Sequence, residues 1–228
     1  MIRSTSTGTA KPGDQLTRLG FSPTTVALLR FLLVHADEPI HLRGLQQALG
    51  AGSRSLQRDL ATLMALGALQ QRTGAGRRID YVVDKGWALW PALRALVLGL
   101  TPPSWLIRDA LRTVDGIDAA FVYGSTARGT ANADSDVDVF VLGNEVDTRA
   151  LHRGLQSVAM LTGRPVNPGI FTYRELAEGL GRPDASTRRF LREVLAGPKT
   201  WVGGSVSALE PLAIASDAAF SPPVEYAP

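Results

Sequence analysis

The chain has 228 residues, 45% of them hydrophobic, with 24 Lys and Arg against 21 Asp and Glu. That length suits one large or two small domains with real apolar cores. The absence of Cys excludes a disulfide framework and a thiolate zinc site, and three scattered His residues (His35, His41, His152) argue against a His-built metal centre. Charge is uneven: residues 1–98 carry 12 Lys and Arg against 6 Asp and Glu, and residues 99–228 carry 12 against 15. A basic first half beside an acidic second half suggests two domains, with nucleic acid a candidate partner of the first.

Residues 1–19 are rich in Ser, Thr and Gly and lack an apolar run, so they read as a flexible tail and not a signal peptide. Ser22-Pro23 offers an N-cap and a Pro at the first helical position. Val26, Leu29, Leu32 and Leu33 then share one helical face up to about His35. Asp37-Glu38-Pro39 breaks the run. A short helix is expected from His41 to Leu49, burying Leu42, Leu45 and Leu49, with Gly50 placed to end it. Ser53 can cap a third helix, Arg54 to Leu66, with Leu56, Leu60 and Leu63 inward and Gly67 as the stop. Ala68–Thr73 and Arg77–Val83 flank Gly74-Ala75-Gly76 and predict a β-hairpin.

This order resembles the winged helix-turn-helix of ArsR- and MarR-type regulators. The resemblance implies that the third helix enters the major groove of double-stranded DNA and that the hairpin touches the flanking backbone. Mapped onto this chain, Arg54, Ser55, Gln57 and Arg58 would face the base edges, where Arg and Gln make bidentate contacts. Arg72, Arg77 and Arg78 would meet phosphates. Leu-rich three-helix units also serve as plain protein-contact modules, and surface Arg is often only solvated.

Trp87–Leu100 reads as a connecting helix carrying core or homodimer-interface residues. With Pro91 and Arg94 inside it, it is too short to span a membrane, which points to a cytoplasmic protein. Thr101-Pro102-Pro103 marks the domain boundary. A helix over Ser104–Val114 and a strand over Asp118–Tyr123 follow. The strand runs into Gly124-Ser125, then a polar loop, then a second apolar strand over Asp136–Leu142. Strand residues two apart share a face, so Asp136 and Asp138 present two carboxylates together while Val137 and Val139 turn into a core. Adjacent like charges repel, and a hard divalent cation with oxygen ligands relieves them. Gly124-Ser125 supplies close backbone N–H groups and a hydroxyl, which suit a phosphate.

Gly124-Ser125, ten residues, then Asp136-Val137-Asp138 resembles the signature of the nucleotidyltransferase superfamily that includes DNA polymerase β, and in detail its minimal branch. The resemblance implies that Gly124, Ser125 and Arg128 bind a nucleoside triphosphate, and that Asp136 and Asp138 are catalytic and hold Mg²⁺. The family carries a third carboxylate on the strand after the next helix. Here that helix is expected over Asp147–Leu161 and the strand over Arg164–Thr172, where Val166-Asn167 stands in place of Val-Asp. A neutral amide cannot act as general base. Asp134, Glu145 and Glu175 are carboxylates that could substitute for that third one geometrically. Helices over Tyr173–Leu180 and Ala185–Leu195, an edge strand over Lys199–Val202, and a tail complete the chain.

The expected fold is therefore α+β: a tail (1–19), a winged helix-turn-helix domain with its connecting helix (20–100), a nucleotidyltransferase-like mixed sheet with flanking helices (101–205), and a tail (206–228). Three functions remain open. One is a DNA-binding transcriptional regulator with a Mg²⁺–NTP domain. Another is an active transferase moving a nucleotidyl group onto a nucleic-acid or protein hydroxyl. The third is an antitoxin-like module acting on a toxin-like partner protein.

Overall fold

The computed structural model describes residues 14–74, 78–132, 134–181 and 185–209. It divides into two compact units, residues 1–102 and 103–228. Among the described residues no helix is long and apolar enough to cross a membrane.

In the first unit, α1 (Asp14–Arg18) precedes α2 (Pro23–Val34), β1 (Ile40–His41), α3 (Leu42–Leu49), α4 (Ser53–Ala65), β2 (Leu69–Thr73), β3 (Ile79–Val83) and α5 (Trp90–Gly99). Ser22 caps α2, its hydroxyl accepting from the Thr25 amide at 3.1 Å. The Thr25 hydroxyl in turn donates to Asp59 at 2.8 Å, which ties α2 to α4. The core is a Leu cluster in which Leu28, Leu45, Leu56 and Leu60 are fully buried. Gly50 ends α3 in the left-handed conformation, as its position in sequence predicts.

Four features depart from expectation. The 1–19 tail is too long: α1 lies inside it and Leu16 is fully buried in the core. The α4 N-cap is Gly52, not Ser53, and the Ser55 hydroxyl donates back to the Gly52 carbonyl at 3.0 Å. The hairpin gains a third, two-residue strand, giving the order β1-β3-β2, all antiparallel. Two residues are too few to show a period of two in sequence. The connecting helix starts at Trp90, leaving Trp87 to pack against the core from the turn before it.

The second unit runs α6 (Pro103–Leu111), β4 (Ala119–Tyr123), α7 (Gly124–Arg128), β5 (Val137–Leu142), α8 (Thr148–Thr162), β6 (Val166–Phe171), α9 (Tyr173–Gly181), α10 (Ala185–Ala196), β7 (Thr200–Gly204) and a 3-10 turn over Val206–Leu209. The sheet order is β6-β5-β4-β7, with β5 and β6 parallel and the other pairs antiparallel. A parallel pair needs a crossover, and α8 provides it. Asp147 caps α8 by accepting from the Ala150 amide at 3.0 Å. Alternation along β5 splits its side chains between the two faces. Val137, Val139 and Val141 are all fully buried on one. On the other, Phe140 stacks between Phe121 (4.7 Å) and Phe171 (4.9 Å), and α9 and α10 cover that face with Leu176, Leu191 and Val194. Residues 206–209, expected to open a tail, instead form the 3-10 turn, and Leu209 is fully buried in this core.

Candidate functional site

The sheet brings one row of residues to a common end. Tyr123 of β4 pairs with Asp138 of β5, and Asp138 pairs with Asn167 of β6. Asp136 lies one residue before β5, not within it, and its exposed carboxylate accepts from the Asn167 side-chain amide at 3.1 Å. Asp136 and Asp138 thus lie together at the strand end, while Val137 between them is fully buried. Burial raises the Asp138 pKa, the Asp136 charge raises it further, and Arg128 opposes both. That is the electrostatic mark of two carboxylates sharing one small volume.

Gly124 fixes how the turn meets this pair. Its φ is +73°, and a Cβ placed there would lie 2.6 Å from Asp138 Oδ2. No other residue fits that position without moving the carboxylate. The turn that follows is the short helix α7, where an irregular loop is expected from sequence. Its last turn closes on Gly129, and the Thr130 amide donates to the Ser125 carbonyl at 3.0 Å. Ser125 is partly exposed and Arg128 exposed, so both can meet a ligand over the Asp138 carboxylate.

Two supports are missing from the sequence reading. Arg164, just before β6, donates to the Ser135 carbonyl at 2.8 Å and to the Thr126 hydroxyl at 3.4 Å, clamping both ends of the connecting loop. Within that loop Ser135 and Asn132 bond reciprocally: the Ser135 hydroxyl donates to Asn132 Oδ1 at 2.7 Å and accepts from the Asn132 amide at 2.9 Å. The Asn-x-Asp-Ser spacing is a local turn signal that could have indicated this. Arg164 has no such signal, because its partners are 29 and 38 residues away.

Glu175 does not join the site. It accepts from the Thr172 amide and hydroxyl at the opposite end of β6, holding its own pKa down. Glu145 follows β5 at that same far end, and Asp134 is exposed in the loop. Among the described residues no group of three His, Cys, Asp or Glu could hold a metal ion. The donor set that is present, two carboxylates whose mutual repulsion a cation would relieve, fits one divalent ion such as Mg²⁺.

In the first unit Arg54, Gln57 and Arg58 are exposed and occupy positions i, i+3 and i+4 of α4, so they share one face. Ser55 is partly buried. Arg58 also lies 3.5 Å from Asp59. Arg72 is exposed on β2, and Arg78 donates to the buried Asp80 at 2.9 Å. Arg77 lies outside the described residues.

Residues 106–191 match the family model of the nucleotidyltransferase domain. The matched span lies within the second unit and contains the Gly124-Ser125 turn and the paired Asp residues. One similar solved structure is described as "Crystal structure of the toxin-antitoxin with AMP-PNP": it is 21% identical, with a TM-score of 0.36, over 50% of this chain and 83% of that one. No curated protein matches the chain.

Proposed function

We propose that this protein is a DNA-binding regulator whose nucleotidyltransferase domain holds a Mg²⁺–nucleoside triphosphate as a ligand and turns it over slowly. The observation that carries the reading is the position of Asn167. It sits beside Asp138 across β5 and β6, and its amide donates to Asp136. The residue at the third acidic position is thus a neutral donor.

The chain's own groups divide the work as follows. Backbone N–H groups of the Gly124-Ser125 turn, with the Ser125 hydroxyl and the Arg128 guanidinium, receive phosphate oxygens. Asp136 and Asp138 would hold Mg²⁺, which would polarise the phosphate when bound. Asn167 orients Asp136 but cannot take the proton of an attacking hydroxyl. General-base catalysis contributes roughly 10²–10⁴-fold, so a site without that carboxylate retains binding and is slow in transfer. In the first unit the order helix, helix, helix, hairpin, with the short β1 added to the sheet, supports the winged helix-turn-helix reading. The exposed Arg54, Gln57 and Arg58 face of α4 is then the DNA-reading face and Arg72 a phosphate contact.

Calorimetry with Mg²⁺–NTP tests the nucleotide half. Wild type binds, and Asp136→Ala and Asp138→Ala each abolish binding while keeping the native circular dichroism. Ser125→Ala weakens binding less, since the backbone donors remain. Unchanged affinity in both Asp variants would remove the metal assignment. Efficient Asp136-dependent labelling of any acceptor by wild type from α-labelled NTP would instead establish an active transferase.

A further inference from the structure

A pocket of about 200 Å³ opens beside α7, lined by Tyr123, Gly124, Arg128, Phe190, Glu193 and Pro198, among others. We propose that it is the base-binding end of the nucleotide site and that it takes a purine. The proposal rests on the reading that Gly124-Ser125 and the paired Asp residues hold the triphosphate, and it extends that reading to the nucleoside.

Position is the first argument. Gly124 and Arg128 belong both to the phosphate turn and to the pocket wall, so one molecule can occupy both. The second is the chemistry of the walls. Tyr123 and Phe190 approach edge to face, with ring centroids 6.2 Å apart at 71°. On α10, Leu191, Val194 and Leu195 are buried in the core, whereas Phe190 is 44% exposed. Phe190 therefore projects away from the core face of its helix and lines the pocket with an open ring. Beyond its edge contact with Tyr123 the Phe190 ring stays partly exposed, and a nucleobase supplies a flat surface that can stack on it. Arg128 and Glu193 add polar groups to the wall. Glu193 is held by Arg189, whose Nε donates to it at 2.8 Å. An apolar ring with polar groups around it matches a base, which has an apolar face and a hydrogen-bonding edge.

Rigidity is the third argument. The buried Lys199 ammonium donates to the Leu195 carbonyl and, at 2.8 Å, to that of Gly197, which secures the turn from α10 into β7. A side chain at position 197 would meet the Glu193 carbonyl at 2.8 Å. The backbone of the turn that carries Gly197 and Pro198 into the pocket lining is thus tied down by the protein's own bonds, which lowers the ordering cost of binding. Two fused rings lie across more of the Phe190 face than one ring does, so the pocket favours purine over pyrimidine.

The test uses the full chain with Mg²⁺ and titrates ATP, GTP, UTP, CTP and inorganic tripolyphosphate into wild type, Phe190→Ala, Phe190→Trp and Asp138→Ala. Base–aromatic stacking is worth about 5- to 150-fold in affinity. Wild type is expected to bind the purine triphosphates at least ~10-fold tighter than tripolyphosphate, and tighter than the pyrimidine ones. Phe190→Ala should bring purine triphosphates down toward tripolyphosphate while leaving tripolyphosphate itself unchanged. Phe190→Trp should keep the purine preference, and Asp138→Ala should lose every ligand. If Phe190→Ala binds ATP and GTP as wild type does, or wild type binds tripolyphosphate as tightly as it binds them, the pocket proposal is overturned and the triphosphate reading stands. Equal affinity for pyrimidines overturns the purine assignment. If wild type binds neither tripolyphosphate nor any nucleotide, the underlying reading fails and the pocket proposal with it.

Discussion

Gly124→Ala and Gly129→Ala make a matched pair that isolates the role of the turn. Both glycines have φ near +70° (+73° and +71°), so alanine pays the same left-handed penalty at each, roughly 1–2 kcal/mol. Their surroundings differ. A Cβ at 129 meets nothing within 4 Å, whereas a Cβ at 124 lies 2.6 Å from Asp138 Oδ2. An ordinary C···O contact is about 3.3 Å or longer, so the carboxylate must retreat by roughly 0.7 Å. Metal–ligand distances tolerate about 0.2 Å. Both variants should therefore lose similar stability, roughly 4–16 °C in melting temperature for a domain of ~100 residues. Only Gly124→Ala should also lose Mg²⁺–NTP affinity, by about 10- to 100-fold, the usual effect of disturbing a ligand's support. Thermal melts and calorimetry on the two proteins measure this. Equal NTP affinity in the pair, with equal destabilisation, would refute the claim that Gly124 positions the Asp138 carboxylate.

Asp138→Asn should raise the melting temperature of the metal-free protein at neutral pH. The folded-state pKa of Asp138 is raised by burial and by the Asp136 charge, so its contribution to stability is full at acid pH and is lost as pH rises through that pKa. The screened like-charge term is roughly 0.2–1 kcal/mol, a gain of about 1–8 °C, which should vanish as the pH is lowered and wild-type Asp138 takes its proton; a gain independent of pH would remove the repulsion argument. In the first unit, Arg54→Ala with Arg58→Ala should relax sequence preference on duplex DNA, whereas Arg72→Ala should weaken all duplexes alike and flatten the salt slope by about one. Gel shifts at several salt concentrations read both, and failure of wild type to bind any duplex at low salt would sink the regulator reading.

What could be read from sequence was whatever repeats locally. A continuous apolar run placed β4, alternation about Asp136 and Asp138 placed β5, and the fixed spacing from Gly124-Ser125 to Asp136-Val137-Asp138 placed the Gly-Ser turn and the carboxylates at one end of the sheet. The cap at Ser22 and the stops at Gly50 and Gly67 are contained within a few residues, and the helices they bound lie within a residue or two of expectation. The misses involve distant partners. Ile40 becomes a strand only because Tyr81 is across from it. Leu16 and Leu209, each in a segment that reads as tail, are buried by cores built elsewhere in the chain. The pocket needs Phe190 and Pro198 brought against Tyr123 by the pairing of β7 with β4, and no pattern within either segment announces that. The short α7 was hidden for the opposite reason: Gly124-Ser125-Thr126 has low helical propensity, and a loop is the better local expectation.

Asn167 is where the local reading and the structure meet with most consequence, and Asn167→Asp follows from both. The change is nearly isosteric, so the β6 backbone should be undisturbed. It removes the donor to Asp136 and puts a third negative charge beside Asp138, its neighbour across the strands. Without metal the variant should be less stable than wild type, by a few degrees for ~1 kcal/mol. With Mg²⁺ the order should narrow or reverse, because a cation offsets three charges more than two, and a ligand that binds only the folded state adds stability in proportion to the logarithm of its concentration over Kd. The rise in melting temperature across a Mg²⁺ titration should thus be steeper for Asn167→Asp. The new carboxylate can also accept the proton of an attacking hydroxyl, so transfer of label from α-labelled NTP should increase, with ~10²–10⁴-fold as the most that a base can supply. A variant with the same Mg²⁺ response and the same labelling rate as wild type would show that position 167 does not face the metal-binding pair, and the assignment of slow turnover to Asn167 would fall with it.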